Sequence, residues 1–148
     1  MLFYFTTILV FVLDQIFKFL VHNFMHLGQS IPLLGNIVSL TYVRNTGAAF
    51  SLFIGFSPYL IVVGVLVVLA VLYFHYRLPS KPIFLQFGLA CVLGGSLGNL
   101  ADRIFRGYVV DYLDITLWPV FNLADIMINI GVILIAYKML SAEAQDKH

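Results

Sequence analysis

Two aspartates near the end of the chain have the residue type and surroundings that acid–base chemistry needs. Segment 109–125, VVDYLDITLWPVFNLAD, carries Asp111, Asp114 and Asp125 and leads directly into an apolar stretch. Two carboxyls in one confined, poorly hydrated site hold a single proton near neutral pH, because both cannot ionise there. Such a pair can take a proton from an attacking water and donate one to a carbonyl oxygen. The pattern alone leaves hydrolysis, proton-coupled transport and a structural adaptor open.

Other kinds of functional site are less complete in this sequence. His22 and His26 are four residues apart but lack the glutamate of a zinc-protease motif, so no metal site is predicted. Cys91 lies in an apolar run and is expected to behave as a small hydrophobic residue. The formal net charge of +1 provides no basic surface for nucleic acid. No cofactor is predicted.

Composition indicates that the solvent around most of the chain is lipid. Of 148 residues, 61% are hydrophobic and 10% are charged, whereas a soluble domain carries about 25% charged residues. Four windows reach the length of about 20 apolar residues that a membrane-spanning helix needs, and they cover about 1–21, 58–76, 82–101 and 121–140. Asp14 and Lys18 interrupt the first window, and no cleavage site follows it, so it is interpreted as a span. The predicted fold is an all-α membrane protein with four transmembrane helices in a single domain, 1–140.

An up-and-down arrangement of these spans would bring the polar residues to one membrane face. Asp14 and Lys18 lie late in the first span, and Asn122 and Asp125 open the fourth. Polar side chains at helical spacing face protein or water, because hydrocarbon offers their donors and acceptors no partners. Small residues in the third span, including Gly94 and Gly98, predict that it packs centrally.

Two longer connections are predicted to cover this polar face. The insert 22–57 contains IVSLTYVR, which alternates as a strand does, and the IPLLG before it is a candidate partner. A small extracytoplasmic β-sheet and loop cap is therefore expected, completed by an outer loop at 102–120. The polar segment 141–148 is predicted to be a disordered cytoplasmic tail. The aromatic residues Tyr108, Tyr112 and Trp118 are expected to act as interfacial anchors.

Five segments, read in order, resemble the signature blocks of the lipoprotein signal peptidases, also called signal peptidase II. They are DQIFK (14–18), NTGAAFS (45–51), GNLADR (98–103), VVDYLD (109–114) and FNLAD (121–125). The resemblance implies an aspartic endopeptidase of the bacterial inner membrane. Such an enzyme removes the signal peptide of a prolipoprotein just before a diacylglyceryl-modified cysteine. It also implies an active site near the outer leaflet, with both termini cytoplasmic; the distribution of lysine and arginine favours that orientation only slightly.

The resemblance assigns the catalytic pair to Asp111 and Asp125, which would activate water without an acyl-enzyme. Asp14 and Lys18 are expected to support the site structurally. Arg103 is expected either to pair with Asp102 or to contact a lipid headgroup. The chain is expected to act as a monomer on a lipid-modified substrate, in contact with membrane lipid. The residues expected to bind substrate or support the site are Asp14, Lys18, Asn45, Gly47, Asn99, Asp102, Arg103 and Asn122.

Overall fold

The computed structural model describes residues 1–35, 37–47, 57–77 and 82–145, which form four long helices and one small sheet. All four helices are long and apolar enough to cross a membrane. The predicted class, a membrane protein with four such helices and a small sheet, is confirmed. In chain order the elements are α1 (Leu2–Phe24), β1 (Ser30–Leu34), β2 (Val38–Asn45), α2 (Ser57–Arg77), α3 (Ile83–Arg106), β3 (Val109–Ile115) and α4 (Leu123–Gln145).

The segment predicted to be an outer loop, 102–120, is largely regular structure. Helix α3 continues through it to Arg106, since Asp102 and Arg106 form an ion pair across one helical turn. The helix ends at Gly107, whose φ of 79° is the left-handed conformation that glycine adopts without strain. Its N–H donates to the carbonyl of Arg103 at 3.2 Å. The loop prediction is therefore wrong for residues 102–106 and for strand β3.

Helix α4 also runs further than predicted. It ends at Gln145, whereas the sequence predicted disorder from residue 141. The added segment, SAEAQ, is rich in alanine, glutamate and glutamine, which favour helix once a helix is already present. The prediction of disorder is wrong for residues 141–145, and residues 146–148 lie outside the described part of the chain.

The three strands form an antiparallel sheet in the order β1-β2-β3. The predicted pairing of residues 31–35 with 37–44 is confirmed, with Ile31 opposite Leu40. The strand β3 was not predicted, and it pairs with β2 so that Asp111 lies opposite Val43. Because side chains alternate along a strand, the two faces of the sheet have different roles. One face packs in an apolar cluster that contains Val21, Tyr42, Val110 and Tyr112.

Helix α3 lies at the centre of the bundle, as its small residues predicted. In its most apolar window 61% of residues are buried inside the protein, compared with at most 33% in the other helices. A side chain at Gly94 would meet Thr7 and Val10 of α1. Gly88 of α3 and Gly131 of α4 face each other so closely that a Cβ on either would contact the other's carbonyl oxygen. We call these two residues the glycine pair.

Candidate active site

A cavity of about 880 Å³ opens between the sheet and the ends of α3 and α4. The face of the sheet opposite the apolar cluster forms one of its walls, through Val43, Asn45, Val109 and Asp111. Both predicted catalytic carboxylates line this cavity. Its remaining polar lining residues include Arg44, Thr46, Asn99, Arg103, Asp125 and Asn129.

Strand β3 places Asp111 in the cavity wall, where only 2% of the residue is exposed. Its Oδ1 accepts a hydrogen bond from Asn122 Nδ2 at 2.6 Å, and its Oδ2 accepts one from Asn45 Nδ2 at 2.9 Å. Burial, followed by the nearby charge of Asp125, raises the pKa of Asp111 from 3.8 to about 7, although the two amide hydrogen bonds oppose this change. Asp111 can therefore hold or release a proton near neutral pH.

The start of α4 holds Asp125 by a reciprocal pair of hydrogen bonds. Asn122 precedes the first residue of the helix, and its Oδ1 accepts the N–H of Asp125 at 3.0 Å. In return, Asp125 Oδ2 accepts the N–H of Asn122 at 3.2 Å. This is the geometry of a capping box, here made with asparagine and aspartate. Asp125 is therefore fixed in the first turn, where the helix dipole favours a negative charge.

Asn99 of α3 completes the contacts of Asp125 and is itself oriented by a lysine. Its Nδ2 donates to Asp125 Oδ1 at 2.8 Å. Its Oδ1 accepts from Lys18 Nζ at 2.8 Å and from Asn122 Nδ2 at 3.2 Å. An ammonium group can only donate, so Lys18 requires the amide oxygen of Asn99 on its side and turns the amide nitrogen toward Asp125. The amide of Asn122 contacts Asp111 and Asn99 together, so it links the two carboxylates.

A fully buried ion cluster lies beneath these asparagines. Lys18 Nζ is 2.8 Å from Asp14 Oδ2 and 3.3 Å from Asp102 Oδ2, and all three side chains are completely inaccessible. Each carboxylate also accepts a backbone N–H, Asp14 from Ala124 at 3.0 Å and Asp102 from Val110 at 3.0 Å. The cluster thus ties α1 and α3 to Val110 and Ala124, the residues that directly precede the two predicted catalytic aspartates. Asp14 and Lys18, which were expected to support the site structurally, form an ion pair within this cluster.

Arg103 joins the site to the segment after β2. Its Nη2 donates to the carbonyl of Gly47 at 3.2 Å, and its Nη1 donates to the carbonyl of Asn99 at 3.3 Å. Gly47 also donates its N–H to Asn45 Oδ1 at 2.9 Å. This bond turns the amide nitrogen of Asn45 toward Asp111. Asp102 forms ion pairs with Lys18 and Arg106 rather than with Arg103. Residues 48–51 of the predicted NTGAAFS block lie outside the described residues.

Several contributors to the site were missed in the sequence. Gln15 donates hydrogen bonds to Asp14, to Asp102 and to the carbonyl of Gly98. Arg106 forms an ion pair with Asp102, and its position four residues after Asp102 in the sequence could have indicated that pair. Asp114 lies apart from the carboxylate pair and accepts from Thr41 Oγ1 at 2.8 Å. An apolar wall extends the cavity along α4, formed by Ile126, Ile130 and Ile133.

The predicted interfacial aromatic residues do not share one environment. Tyr112 is 4% exposed, and its hydroxyl accepts the N–H of Leu123 at 3.3 Å, so the prediction is wrong for this residue. Trp118 is exposed beyond the end of β3. In the described part of the chain, no three His, Cys, Asp or Glu side chains come together as a metal site would require.

Comparison with known proteins relates the sequence to one family. A family model described as signal peptidase (SPase) II matches residues 6–141. The lipoprotein signal peptidase of Moorella thermoacetica is 43% identical over 133 residues, which cover 90% of this chain and 89% of the relative. That of Halothermothrix orenii is 45% identical, with 89% and 90% coverage.

Two solved bacterial membrane enzymes have a similar fold. The first superposes with a TM-score of 0.92 at 28% identity and covers 97% of this chain and 90% of the other. The second has a TM-score of 0.85 at 30% identity, with 93% and 92% coverage. Both likenesses extend over the helices and the sheet together, because almost the whole of each chain is covered.

Proposed function

The chain belongs to the signal peptidase II family, and from this premise we propose that it is an aspartic endopeptidase that acts within the membrane. Its substrate is a diacylglyceryl-modified prolipoprotein, from which it removes the signal peptide. The observation that carries the proposal is the meeting of Asp111 and Asp125 in one cavity, where Asn122 contacts both residues. The enzyme is a multi-pass protein of the bacterial inner membrane.

In the proposed reaction the two carboxyls begin with one proton between them. Asp111 carries it, which its pKa of about 7 supports, and Asp125 is the base, at a helix N-terminus whose dipole favours a negative charge. Asp125 takes a proton from water as the oxygen attacks the scissile carbonyl, while Asp111 donates to the carbonyl oxygen. When the C–N bond breaks, Asp125 gives its proton to the leaving nitrogen and Asp111 recovers its own. No covalent enzyme intermediate forms.

The cavity provides different surroundings for the two parts of such a substrate. Asn45, Arg103 and the segment at Gly47 lie on the polar side, next to the carboxylates, where an extended peptide backbone needs partners. The apolar wall of α4 suits acyl chains or the apolar signal helix. We place this site at the outer leaflet, with the termini cytoplasmic, and we propose that a monomer in contact with membrane lipid is sufficient.

The test is cleavage of a lipidated precursor by the full chain in proteoliposomes, with Asp111→Asn and Asp125→Asn compared with Asp114→Asn. Asp114 lies on the same strand as Asp111 but does not line the cavity, so it is a matched control. We expect Asp111→Asn and Asp125→Asn to lose turnover while Asp114→Asn keeps it. The unlipidated precursor should not be cut. Turnover retained by Asp111→Asn or by Asp125→Asn would reject the mechanism.

Proton-coupled transport is the alternative function for membrane carboxylates. Such a carrier needs ionisable groups along a path across the bilayer. Here Asp14, Asp102, Asp111 and Asp125 gather within one hydrogen-bonded network at one end of the bundle, which favours the peptidase. Substrate-dependent proton uptake into sealed vesicles, abolished in the same two variants, would instead support a carrier.

A further inference from the structure

Two connections at one end of the sheet lie side by side and carry large apolar side chains. Val38 pairs with Ile115, and the N–H of Thr116 donates to the carbonyl of Ile37 at 3.4 Å. The residues after β3 therefore lie against the β1–β2 connection. We call the exposed apolar side chains at the end of β1 and in these two connections the apolar tip, which consists of Leu33, Leu34, Ile37, Leu117 and Trp118.

The side chains of the apolar tip are largely exposed. Leu117 is 97% exposed, Ile37 73% and Leu34 68%. Neither segment 31–38 nor segment 115–121 contains an Asp, Glu, Lys or Arg residue. Contiguous exposed apolar surface on a folded protein marks contact with another molecule or with a membrane. The uncharged composition favours a partner whose surface is apolar or neutral.

The position of the apolar tip points to lipid as that partner. Trp118 and the neighbouring Ile115 line the same cavity as Ile130 and Ile133 of α4, a helix apolar enough to span the bilayer. Trp118 of the tip and Ile133 of α4 are both exposed, so the tip adjoins the apolar side of a helix that can span the bilayer. Tryptophan is also enriched at the boundary between headgroups and acyl chains, where its ring is partly in each environment.

We propose that the apolar tip inserts into the headgroup and acyl boundary of the leaflet on the side of the cavity. The membrane then holds the sheet at the apolar tip, and helices α1 and α3 hold it through strand β3. Asn45 and Asp111 therefore stay at a constant depth in the membrane relative to Asp125. This inference concerns the resting protein and does not depend on the reaction proposed above.

The chain contains one tryptophan, Trp118, so its fluorescence reports on the apolar tip without any mutation. The full chain is reconstituted in phosphatidylcholine vesicles that contain lipids brominated either near the carbonyls or deep in the acyl chains. We expect blue-shifted emission that the shallow bromines quench more strongly than the deep ones. Emission at the wavelength of water-exposed tryptophan, unquenched by either lipid, would overturn the proposal.

A pair of variants separates the apolar tip from other exposed apolar residues. Ile37→Asp adds a charge at the tip, whereas Leu27→Asp adds one at a 60% exposed residue before β1, at the opposite end of the sheet. We expect Ile37→Asp to shift the emission to longer wavelength and to reduce shallow quenching at least twofold. The control Leu27→Asp should match the wild-type chain.

Other occupants of this surface predict different results. If the apolar tip contacted a second copy of the chain, emission would vary with protein density in the vesicle and bromines would not quench it. If it contacted a substrate peptide, emission would change only when the precursor was added. A further outcome is that deep bromines quench Trp118 equally in the wild-type chain and in Ile37→Asp. That result would mean that lipid inside the cavity reaches the Trp118 indole. Each of these results would reject insertion of the tip.

Discussion

The environment of Asp111 predicts that Asp111→Asn makes the protein more stable at high pH while making it inactive. A carboxyl whose pKa is higher in the folded than in the unfolded chain stabilises the fold fully below the unfolded pKa, near 3.8. That contribution is lost as the pH rises through the folded pKa of about 7. The difference between these two values corresponds to about 4 kcal/mol, and more than half of it is lost between pH 5 and 8. Asparagine does not titrate, so the variant escapes this loss.

The gain is reduced by the hydrogen bonds of the carboxylate. Both oxygens of Asp111 accept from amide nitrogens, those of Asn122 and Asn45. The –NH₂ of a new asparagine would face one of those donors, and a buried donor without an acceptor costs about 1–3 kcal/mol. We therefore expect Asp111→Asn to be no more stable than the wild-type chain at pH 5. At pH 8 it should be more stable, by a net amount on the order of 1–3 kcal/mol.

Thermal unfolding in detergent can be followed through Cys91, the single cysteine of the chain and a fully buried one. Samples heated at each pH are returned to pH 7 and labelled briefly with a thiol-reactive dye, so that dye chemistry is the same for all. The measured quantity is the difference in midpoint between the variant and the wild-type chain. Equal differences in midpoint at pH 5 and pH 8 would refute the reasoning. They would mean that Asp111 has the same pKa in the folded and the unfolded chain.

Three further perturbations test other parts of the site. The kcat/KM for precursor cleavage should fall as the pH rises through about 7, because Asp111 then loses the proton that it donates, and a flat profile from pH 6 to 9 would contradict this role. Lys18→Met should destabilise the protein by about 3–5 kcal/mol, measured as a lower unfolding midpoint, since it leaves two buried carboxylates without their shared cation. Gly95→Ala should cost about 1–3 kcal/mol, because its Cβ would lie 2.5 Å from the carbonyl oxygen of Ala124. Its control is Gly64→Ala, whose nearest neighbour is the flexible Leu100 side chain at 3.3 Å; equal midpoints for the two alanine variants would argue against tight α3–α4 packing.

The sequence was sufficient for the spans and for most of the polar residues that meet. Hydropathy over about 20 residues locates a membrane helix, because the bilayer requires that length. Asp14 and Lys18, four residues apart and expected to support the site structurally, form an ion pair in which Nζ lies 2.8 Å from Oδ2. The alternation of residues 37–44 likewise led to a paired strand. In each case a local period determined a local contact.

The errors arose where a distant partner determines the structure. Strand β3 was predicted as part of the outer loop between the third and fourth spans, yet Asp111 is buried through contacts from β2 and from Asn122. Asn122 was predicted to lie within the fourth span, whereas it precedes helix α4 and caps it. Arg103 was expected either to pair with Asp102 or to contact a lipid headgroup, but its guanidinium donates to the carbonyl of Gly47, 56 residues earlier. Such long-range contacts leave no period in the sequence.

The glycine pair has a consequence for the behaviour of the protein in membranes of different thickness. Gly88 and Gly131 bring the backbones of α3 and α4 into contact well away from Asn99 and Asp125, and a single extra carbon on either would collide with the opposite helix. Helices interlocked in this way resist sliding, so a mismatch with the bilayer should be met by tilting of the whole bundle. The distance between Asn99 and Asp125 should then stay constant when lipid length changes.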